Sequence, residues 1–368
     1  MKVLLVAGAR PNFMKIAPVY RESTSLSEID CRIVHTGQHY DYEMSQAFFD
    51  DLELPPPDHF LEAGSGSHAE QTAKIMVAFE TVCQSEKPDL VMVVGDVNST
   101  LACSVVSKKL LIPVAHVEAG LRSFDLSMPE EINRMVTDAI SDLFFVTEES
   151  GKRNLVREGK PADAIHMVGN VMVDNLFYQA EKLKTVAENE FTTAGLKADS
   201  GDYAFLTLHR PSNVDKRKNL EDIVAALAEI AAERPIIFAV HPRTRKMLER
   251  FAIQLPPAIH TLKPLGFREA LYLWKDAAVV LTDSGGLQEE TTALKVPCVT
   301  IRDNTERPIT VEMGTNVLAG TSRDGILSSY RRALSDEKSD TAGPPLWDGK
   351  AAQRIWQTIL QQYATLSS

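Results

Sequence analysis

Short runs of apolar and β-branched residues alternate along the chain with longer segments whose apolar positions recur every three or four residues. In the first half the short runs fall at residues 3–7, 32–35, 90–94, 114–117, 143–146 and 165–168. The longer segment 69–84 sets Thr72, Ile75, Met76, Phe79 and Val82 along one stripe, as an amphipathic helix does. The pattern restarts in the second half, with strands expected at 204–208, 236–240, 259–262, 279–282 and 298–301. Between the first two of these, segment 219–232 repeats Leu220, Ile223, Val224, Leu227 and Ile230 at helical spacing. Strands alternating with helices predict βαβ units, hence parallel sheets covered by helices on both faces.

The restart predicts an α/β protein of two Rossmann-like, doubly wound domains facing a central cleft. The boundary is expected near Asn170, giving domains at 1–170 and 171–350. A helix over 171–186 leads into the second. Segment 187–202 is polar, without firm periodicity, and is placed near the join. Residues 338–349, rich in Pro, Gly and Asp, read as a loop. The final segment, 351–368, carries a helix over 351–363 expected to pack back on the first domain.

Length fits this division, since 368 residues exceed one ordinary core. The formal net charge of −11 repels phosphate backbones and argues against nucleic acid as a partner. No run of about 18 apolar residues is present, so no membrane span is expected. The opening MKVLLVAG is too short for a signal-peptide core with its cleavage site and reads as a first strand. Cys31, Cys83, Cys103 and Cys298 form no CxxC pair and sit in or beside apolar runs, as buried reduced thiols of a cytoplasmic protein would.

Ligands of doubly wound folds bind on the loops that leave the carboxyl ends of strands. The first such loop, GARPNFMK (8–15), is neither a Walker A loop nor a GxGxxG. Pro11 suits the first helical position, and Arg10 and Lys15 then flank a helix N-terminus, an arrangement suited to a diphosphate. The second, GDVNST (95–100), puts Asp96 at a strand end, either as a reacting carboxylate or as the cap of a helix over 99–110. The third, HVEAGLR (116–122), supplies Glu118. The fourth, MPEEINR (128–134), opens a helix at Pro129 with Glu130 and Glu131 in the first turn. One of that pair is accounted for by the helix dipole. Three carboxylates in one cleft can supply both a general base and a general acid.

In the second half, two strands end in His209-Arg210 and in His241-Pro242-Arg243, which together look like anion-binding equipment. The loop DSGGLQEE (283–290) is the most informative. Ser284, Gly285 and Gly286 open a helix whose bare backbone admits phosphate oxygens, and Glu290 can hold vicinal ribose hydroxyls. Arg307, in RDNTERP (302–308), can add a cation.

These stretches, together with HTGQHYD (35–41), GN (169–170) and HRPSNVD (209–215), resemble the UDP-N-acetylglucosamine 2-epimerases of the non-hydrolysing type. The likeness runs in order from residue 8 to about 308 and covers most of the chain. It implies the glycosyltransferase B fold and reversible anti elimination of UDP to a 2-acetamidoglucal, interconverting UDP-N-acetylglucosamine and UDP-N-acetylmannosamine for surface polysaccharide. Residues matching Arg10, Lys15, Asp96, Glu118, Glu130 and His209 would then act at the sugar and diphosphate, with Glu131, Arg134, Arg210 and His241 lining the same site. Those matching Ser284, Gly285, Gly286, Glu290 and Arg307 would hold UDP, and the segment from Leu265 to Phe267 would touch the uracil. No metal or nicotinamide is implied, and a cytoplasmic homodimer is the expected setting. One departure stands out. Residues 61–68 carry no Arg or Lys, so the allosteric UDP-sugar site of some bacterial members is not expected. Relatives acting on UDP-2,3-diacetamido-glucuronic acid share the loops, and a hydrolysing epimerase, a glycosyltransferase of the same fold and a UDP-sugar-binding regulator without chemistry are the remaining alternatives.

Overall fold

The computed structural model describes residues 1–37, 49, 52–335 and 343–366. Residues 38–41 of the HTGQHYD stretch and 338–342 of the expected loop lie outside the described residues. The chain divides into two compact units, Met1–Asn175 with Pro345–Ser368, and Leu176–Pro344. The division falls inside a helix, past Asn170.

In the first unit the strands are β1 (Lys2–Ala7), β2 (Asp30–His35), β3 (His59–Phe60), β4 (Leu90–Val94), β5 (Val114–Val117), β6 (Leu143–Val146) and β7 (Ile165–Met167). They pair in parallel in the order β3-β2-β1-β4-β5-β6-β7. The helices are α1 (Arg10–Ser23), α2 (His68–Glu86), α3 (Asn98–Lys109), α4 (Pro129–Ile140), α5 (Glu149–Arg157) and α6 (Val171–Leu183). Alternate side chains of β1 enter different cores. Val3 and Leu5 pack with Phe13 and Ile16 of α1, whereas Leu4 and Val6 pack with Ile75 and Phe79 of α2. Burial on both faces is why the strand reads as continuously apolar. A capping box starts α2: Ser67 Oγ accepts from Glu70 N, and Glu70 Oε2 accepts from Ser67 N.

The second unit repeats the plan. After α7 (Ala194–Ser200) come β8 (Ala204–Thr207), α8 (Pro211–Val214), α9 (Arg217–Glu233), β9 (Ile236–Ala239), α10 (Pro242–Phe251), β10 (Ile259–Leu262) and α11 (Phe267–Trp274). Then follow β11 (Val279–Thr282), α12 (Gly285–Ala293), β12 (Cys298–Thr300), α13 (Pro308–Glu312), β13 (Asn316–Leu318) and α14 (Arg323–Ala333). The parallel order is β10-β9-β8-β11-β12-β13. Ala204 and Leu206 meet the stripe Leu220, Ile223 and Leu227 of α9 on one face, and Phe205 meets Leu271 and Trp274 of α11 on the other. The polar segment expected near the join carries α7 and lies wholly within this unit.

The last helix, α15 (Ala351–Leu366), belongs to the first unit. Ile355, Trp356 and Ile359 complete the core under α1, and Trp356 Nε1 donates to Val19 O at 2.8 Å. The Asp174 carboxylate accepts from Ala351 N at 3.0 Å and Ala352 N at 2.7 Å, satisfying two donors of the helix start. No helix among the described residues is long and apolar enough to cross a membrane.

Both sheets reverse strand order at one point, between β1 and β4 and between β8 and β11. Loops leaving neighbouring strands diverge there and leave room for a ligand.

Candidate active site

The loop after β1 and the loop after β4 are tied together by Asn12. Its side-chain oxygen accepts from Gly8 N at 3.2 Å and Ala9 N at 3.1 Å, and its amide donates to Val94 O at 3.1 Å. Arg10 opens α1, with its side chain outside the described part. Lys15, one turn on, directs its ammonium to Glu118 Oε2 at the end of β5. Gly95 makes room for that pair. Its φ is +66°, and a Cβ there would lie 2.9 Å from Lys15 Nζ and 3.5 Å from Glu118 Oε2. Glu118 itself has φ 70°, a conformation costly for a residue with a side chain. Its carboxylate is 3% exposed beside Lys15.

Behind this loop, His116 is fully buried. Its Nδ1 lies 2.6 Å from Asp138 Oδ1 and its Nε2 2.8 Å from Gly95 O. Both partners are acceptors, so both ring nitrogens donate. Asp138 also accepts from Gly120 N at 3.0 Å and pairs with Arg122 at 2.7 Å. Burial pushes its carboxyl up, but His116 and Arg122 outweigh it, and the group ionises below the usual range. This network fixes the carbonyl of Gly95 and hence the start of the Asp96 loop.

Asp96 does not cap the following helix. The residue before α3 is Val97, which makes no side-chain cap bond, and Asp96 Oδ2 instead pairs with Arg134 Nη1. Arg134 is held by Glu131, whose Oε2 accepts from its Nε at 2.9 Å and its Nη2 at 2.7 Å. Glu131 also accepts from the backbone N–H groups of Ser123 and Phe124 at 3.0 and 2.9 Å. Burial raises its carboxyl, yet these donors and the guanidinium leave it below its ordinary value. Glu131 therefore orients Arg134, and Arg134 orients Asp96. Glu130, its neighbour, is exposed in the first turn of α4. The two acids of one motif thus have different surroundings, because consecutive helical residues face about 100° apart.

In the second unit, His209 follows β8 and Asp283 follows the neighbouring β11. His209 Nδ1 lies 2.8 Å from Asp283 Oδ1. Asp283 also accepts from the backbone N–H of His209 at 3.0 Å, that of Arg210 at 2.8 Å, and Asn213 Nδ2 at 3.1 Å. Burial raises the Asp283 carboxyl, but His209 and the backbone donors prevail and hold it ionised below the usual range. The His241 ring lies 5.7 Å from that of His209, and its Nδ1 accepts from Arg243 N at the start of α10. Burial, then the neighbouring His209, lowers the pKa of His241. Arg210 reaches toward Glu306 at 3.8 Å. Despite burial, Glu306 is pulled down to about 2 by Arg302.

Ser284 precedes α12 and makes no side-chain cap bond. Gly285 and Gly286 have ordinary negative-φ backbone, and a Cβ on either would meet no atom within 4 Å. The fold asks for glycine at neither position. What the missing side chains leave open is the approach to the helix N-terminus, where N–H groups and the dipole favour an anion. Glu290 lies further along α12, buried, and burial with the neighbouring Glu289 raises its carboxyl to about 8. Glu289 pairs with Arg307 Nε at 3.0 Å, so Arg307 lies against the same helix. Leu265 and Phe267 are partly buried at the start of α11, packed on the core beneath.

The structure thus gathers Lys15, Asp96, Glu118, Glu131 and Arg134 in one unit, and His209, Arg210 and His241 beside the Ser284–Gly286 turn in the other. Sequence reasoning gave no role to Asn12, Gly95, Asp138 or Asp283. Asp283 carried a signal, an acid at a strand end before Ser-Gly-Gly, but its partner is 74 positions away in sequence.

Two doubly wound parallel units, one with a carboxylate cluster and one with an open helix N-terminus, define an enzyme of the glycosyltransferase B architecture. The family model for UDP-N-acetylglucosamine 2-epimerase matches residues 21–360, and the chain belongs to that family. It is 44% identical over 363 residues to a UDP-N-acetylglucosamine 2-epimerase of Methanocaldococcus jannaschii, covering 96% of this chain and 98% of that protein. It is 41% identical over 361 residues to a UDP-2,3-diacetamido-2,3-dideoxy-D-glucuronate 2-epimerase of Pseudomonas aeruginosa, covering 96% and 98%. A crystal structure of the Methanocaldococcus jannaschii enzyme with UDP-GlcNAc and UDP superposes with a TM-score of 0.83 at 43% identity, covering 98% of this chain and all of that one.

Proposed function

We propose that this protein interconverts UDP-N-acetylglucosamine and UDP-N-acetylmannosamine by anti elimination and re-addition of UDP. A base removes the C2 proton while the C1–O bond breaks. The bonding pair leaves with UDP, and C1 and C2 become doubly bonded in a 2-acetamidoglucal. Reprotonation at C2 on the other face and return of UDP to C1 complete the exchange. Nothing is oxidised or reduced overall, so the reaction needs no redox cofactor.

The observation that carries this reading is the strand-end pair Glu118 and Asp96, each fixed against one cation, Lys15 and Arg134. The C2 proton is weakly acidic, so positive charge must develop at C1 as it departs. Ionised acids stabilise that charge and exchange the proton, and Asp96, Glu118 and the exposed Glu130 share this work. Lys15 and Arg10 take up the charge gathering on the departing diphosphate, and in the second unit His209 is assigned to proton transfer and Arg210 and His241 to binding the substrate. The backbone of Ser284, Gly285 and Gly286 receives phosphate oxygens. At neutral pH a Glu290 carboxyl raised to about 8 is protonated, so it can donate to one ribose hydroxyl and accept from the other. Arg307 adds charge near the nucleotide, and Leu265 and Phe267 border the uracil.

Incubation of the protein with UDP-N-acetylglucosamine in D₂O tests the reading. NMR should show deuterium at C2 and a mixture of the two C2 epimers. Free N-acetylmannosamine and UDP as the products would mean a hydrolase instead, and no exchange without an added acceptor would mean a glycosyltransferase. The 41% identity to the diacetamido-glucuronate epimerase supports a second substrate with the same C2 chemistry. Competition between the two UDP-sugars decides between them. A cytoplasmic homodimer supplying surface-polysaccharide precursors is the setting we propose, and light scattering on the eluted protein checks the dimer.

A further inference from the structure

Asp283 takes part in no step proposed above, yet its carboxylate gathers the backbone and ring of His209, the backbone of Arg210 and the side chain of Asn213. It is fully buried, and its two oxygens are used differently. Oδ2 collects three donors: Arg210 N at 2.8 Å, His209 N at 3.0 Å and Asn213 Nδ2 at 3.1 Å. Oδ1 faces the ring nitrogen Nδ1 of His209 at 2.8 Å and also lies 3.1 Å from His209 N. The His209 backbone and ring are thus both anchored to one carboxylate. Asn213 is held in turn by Ile301 O at 2.8 Å, so the anchor is tied to the loop beyond β12.

An ionised carboxylate only accepts, so His209 Nδ1 must carry a proton. In the neutral ring the lone pair is then on Nε2, and the imidazole edge bearing it has no hydrogen-bond partner among the described residues. We propose that Asp283 is a positioning residue that fixes the rotamer and tautomer of His209, presenting Nε2 as a proton-accepting atom for one face of C2, with a carboxylate serving the other. The same residue sits immediately before Ser284, and its own carbonyl oxygen accepts from Arg210 Nε at 3.3 Å. It therefore joins the His209-Arg210 strand end to the turn that opens α12.

Asp283→Asn gives a sharp test because the geometry dictates how the amide must sit. The three donors on Oδ2 require oxygen there, so the amide nitrogen falls opposite His209 Nδ1. That nitrogen can only donate. Nδ1 becomes the acceptor, and the ring proton moves to Nε2. The three bonds to Oδ2 survive, the second contact of His209 N at 3.1 Å is lost, and the tautomer reverses.

Three readouts follow. ¹⁵N NMR of histidine-labelled protein, with the His209 signals assigned by their loss in His209→Gln, should show the proton on Nδ1 in the parent and on Nε2 in Asp283→Asn. The rate of C2 exchange from UDP-N-acetylglucosamine should fall on the order of 10²–10⁴-fold, the span of a lost general base, with UDP affinity within about twofold of the parent. In a His209→Gln background the Asp283→Asn change should cost no further rate, because a residue acting only through His209 has nothing left to act on. An unaltered tautomer, or a second loss of rate in the double variant, overturns the proposal. The inference rests on the epimerase reading for its kinetic part alone. If the parent protein shows no C2 exchange, that reading fails, while the tautomer measurement still decides the Asp283–His209 pairing.

Discussion

Asp96 and Glu118 are held by different cations on different elements, so each can be neutralised separately. Asp96→Asn and Glu118→Gln preserve shape and remove charge. Each is expected to lower turnover by about 10²–10⁴-fold while leaving the UDP dissociation constant nearly unchanged. Turnover at the parent rate in either variant would remove that residue from the chemistry. Glu290 makes a different kind of prediction. Its folded pKa, about 8, lies above the ordinary 4.5. The unfolded chain ionises near 4.5 while the folded one stays protonated, so the residue's favourable contribution is complete below that pH and is lost as pH climbs toward 8. Glu290→Gln should therefore raise the melting temperature more at pH 8 than at pH 5, corresponding to a gain on the order of 1–4 kcal/mol. Equal melting shifts at both pH values would contradict the assignment. Glu290→Ala should weaken UDP binding by about tenfold or more, as loss of hydrogen bonds to a buried ligand does, read by calorimetry.

At the level of elements, two glycine-bearing turns behave oppositely. Gly286 stands in open space with ordinary backbone, so Gly286→Ala should leave the melting temperature unchanged or slightly higher. UDP affinity should nonetheless drop about tenfold or more, because a methyl group blocks the approach to the first N–H groups of α12. Retained affinity would place the phosphates elsewhere. Gly95 sits at φ +66°, and an added Cβ meets the Lys15 ammonium at 2.9 Å. Gly95→Ala should cost about 1–3 kcal/mol of stability from backbone strain alone and also displace Lys15 from Glu118. The strand-end loops were legible in sequence because an apolar run that stops at a polar residue marks where a strand surfaces. The helix starts were legible from Pro129 and from Ser-Gly-Gly. The edge strands β3 and β13 were not, since neither forms a continuous apolar run and each is defined by its pairing with β2 or β12.

For the whole molecule, the second unit's core is built from one continuous stretch and the first unit's is not. Ile355, Trp356 and Ile359 come from the far end of the chain to cover α1. Trp356→Ala should cost about 3–5 kcal/mol, the usual penalty for emptying an aromatic site in a core. Urea unfolding monitored at a probe within residues 1–175 should show the loss, and the same experiment on a probe within 176–344 should show little change. A uniform shift of both would mean that the two units unfold as one.

The sequence by itself determined the alternation of strands and helices, the restart that makes two sheets, and the loops that carry acids, cations and bare backbone. These are local properties, set by which side chains can be buried and which conformations a residue tolerates. Only the tertiary structure decided what each polar group does. It turned Glu131 from a candidate ligand into the support of Arg134, took Asp96 away from the helix it could have capped, and brought Asp283 to His209. Those outcomes depend on hydrogen-bond partners brought together by strand order, and strand order is a global consequence of packing two faces of a sheet that no local pattern records.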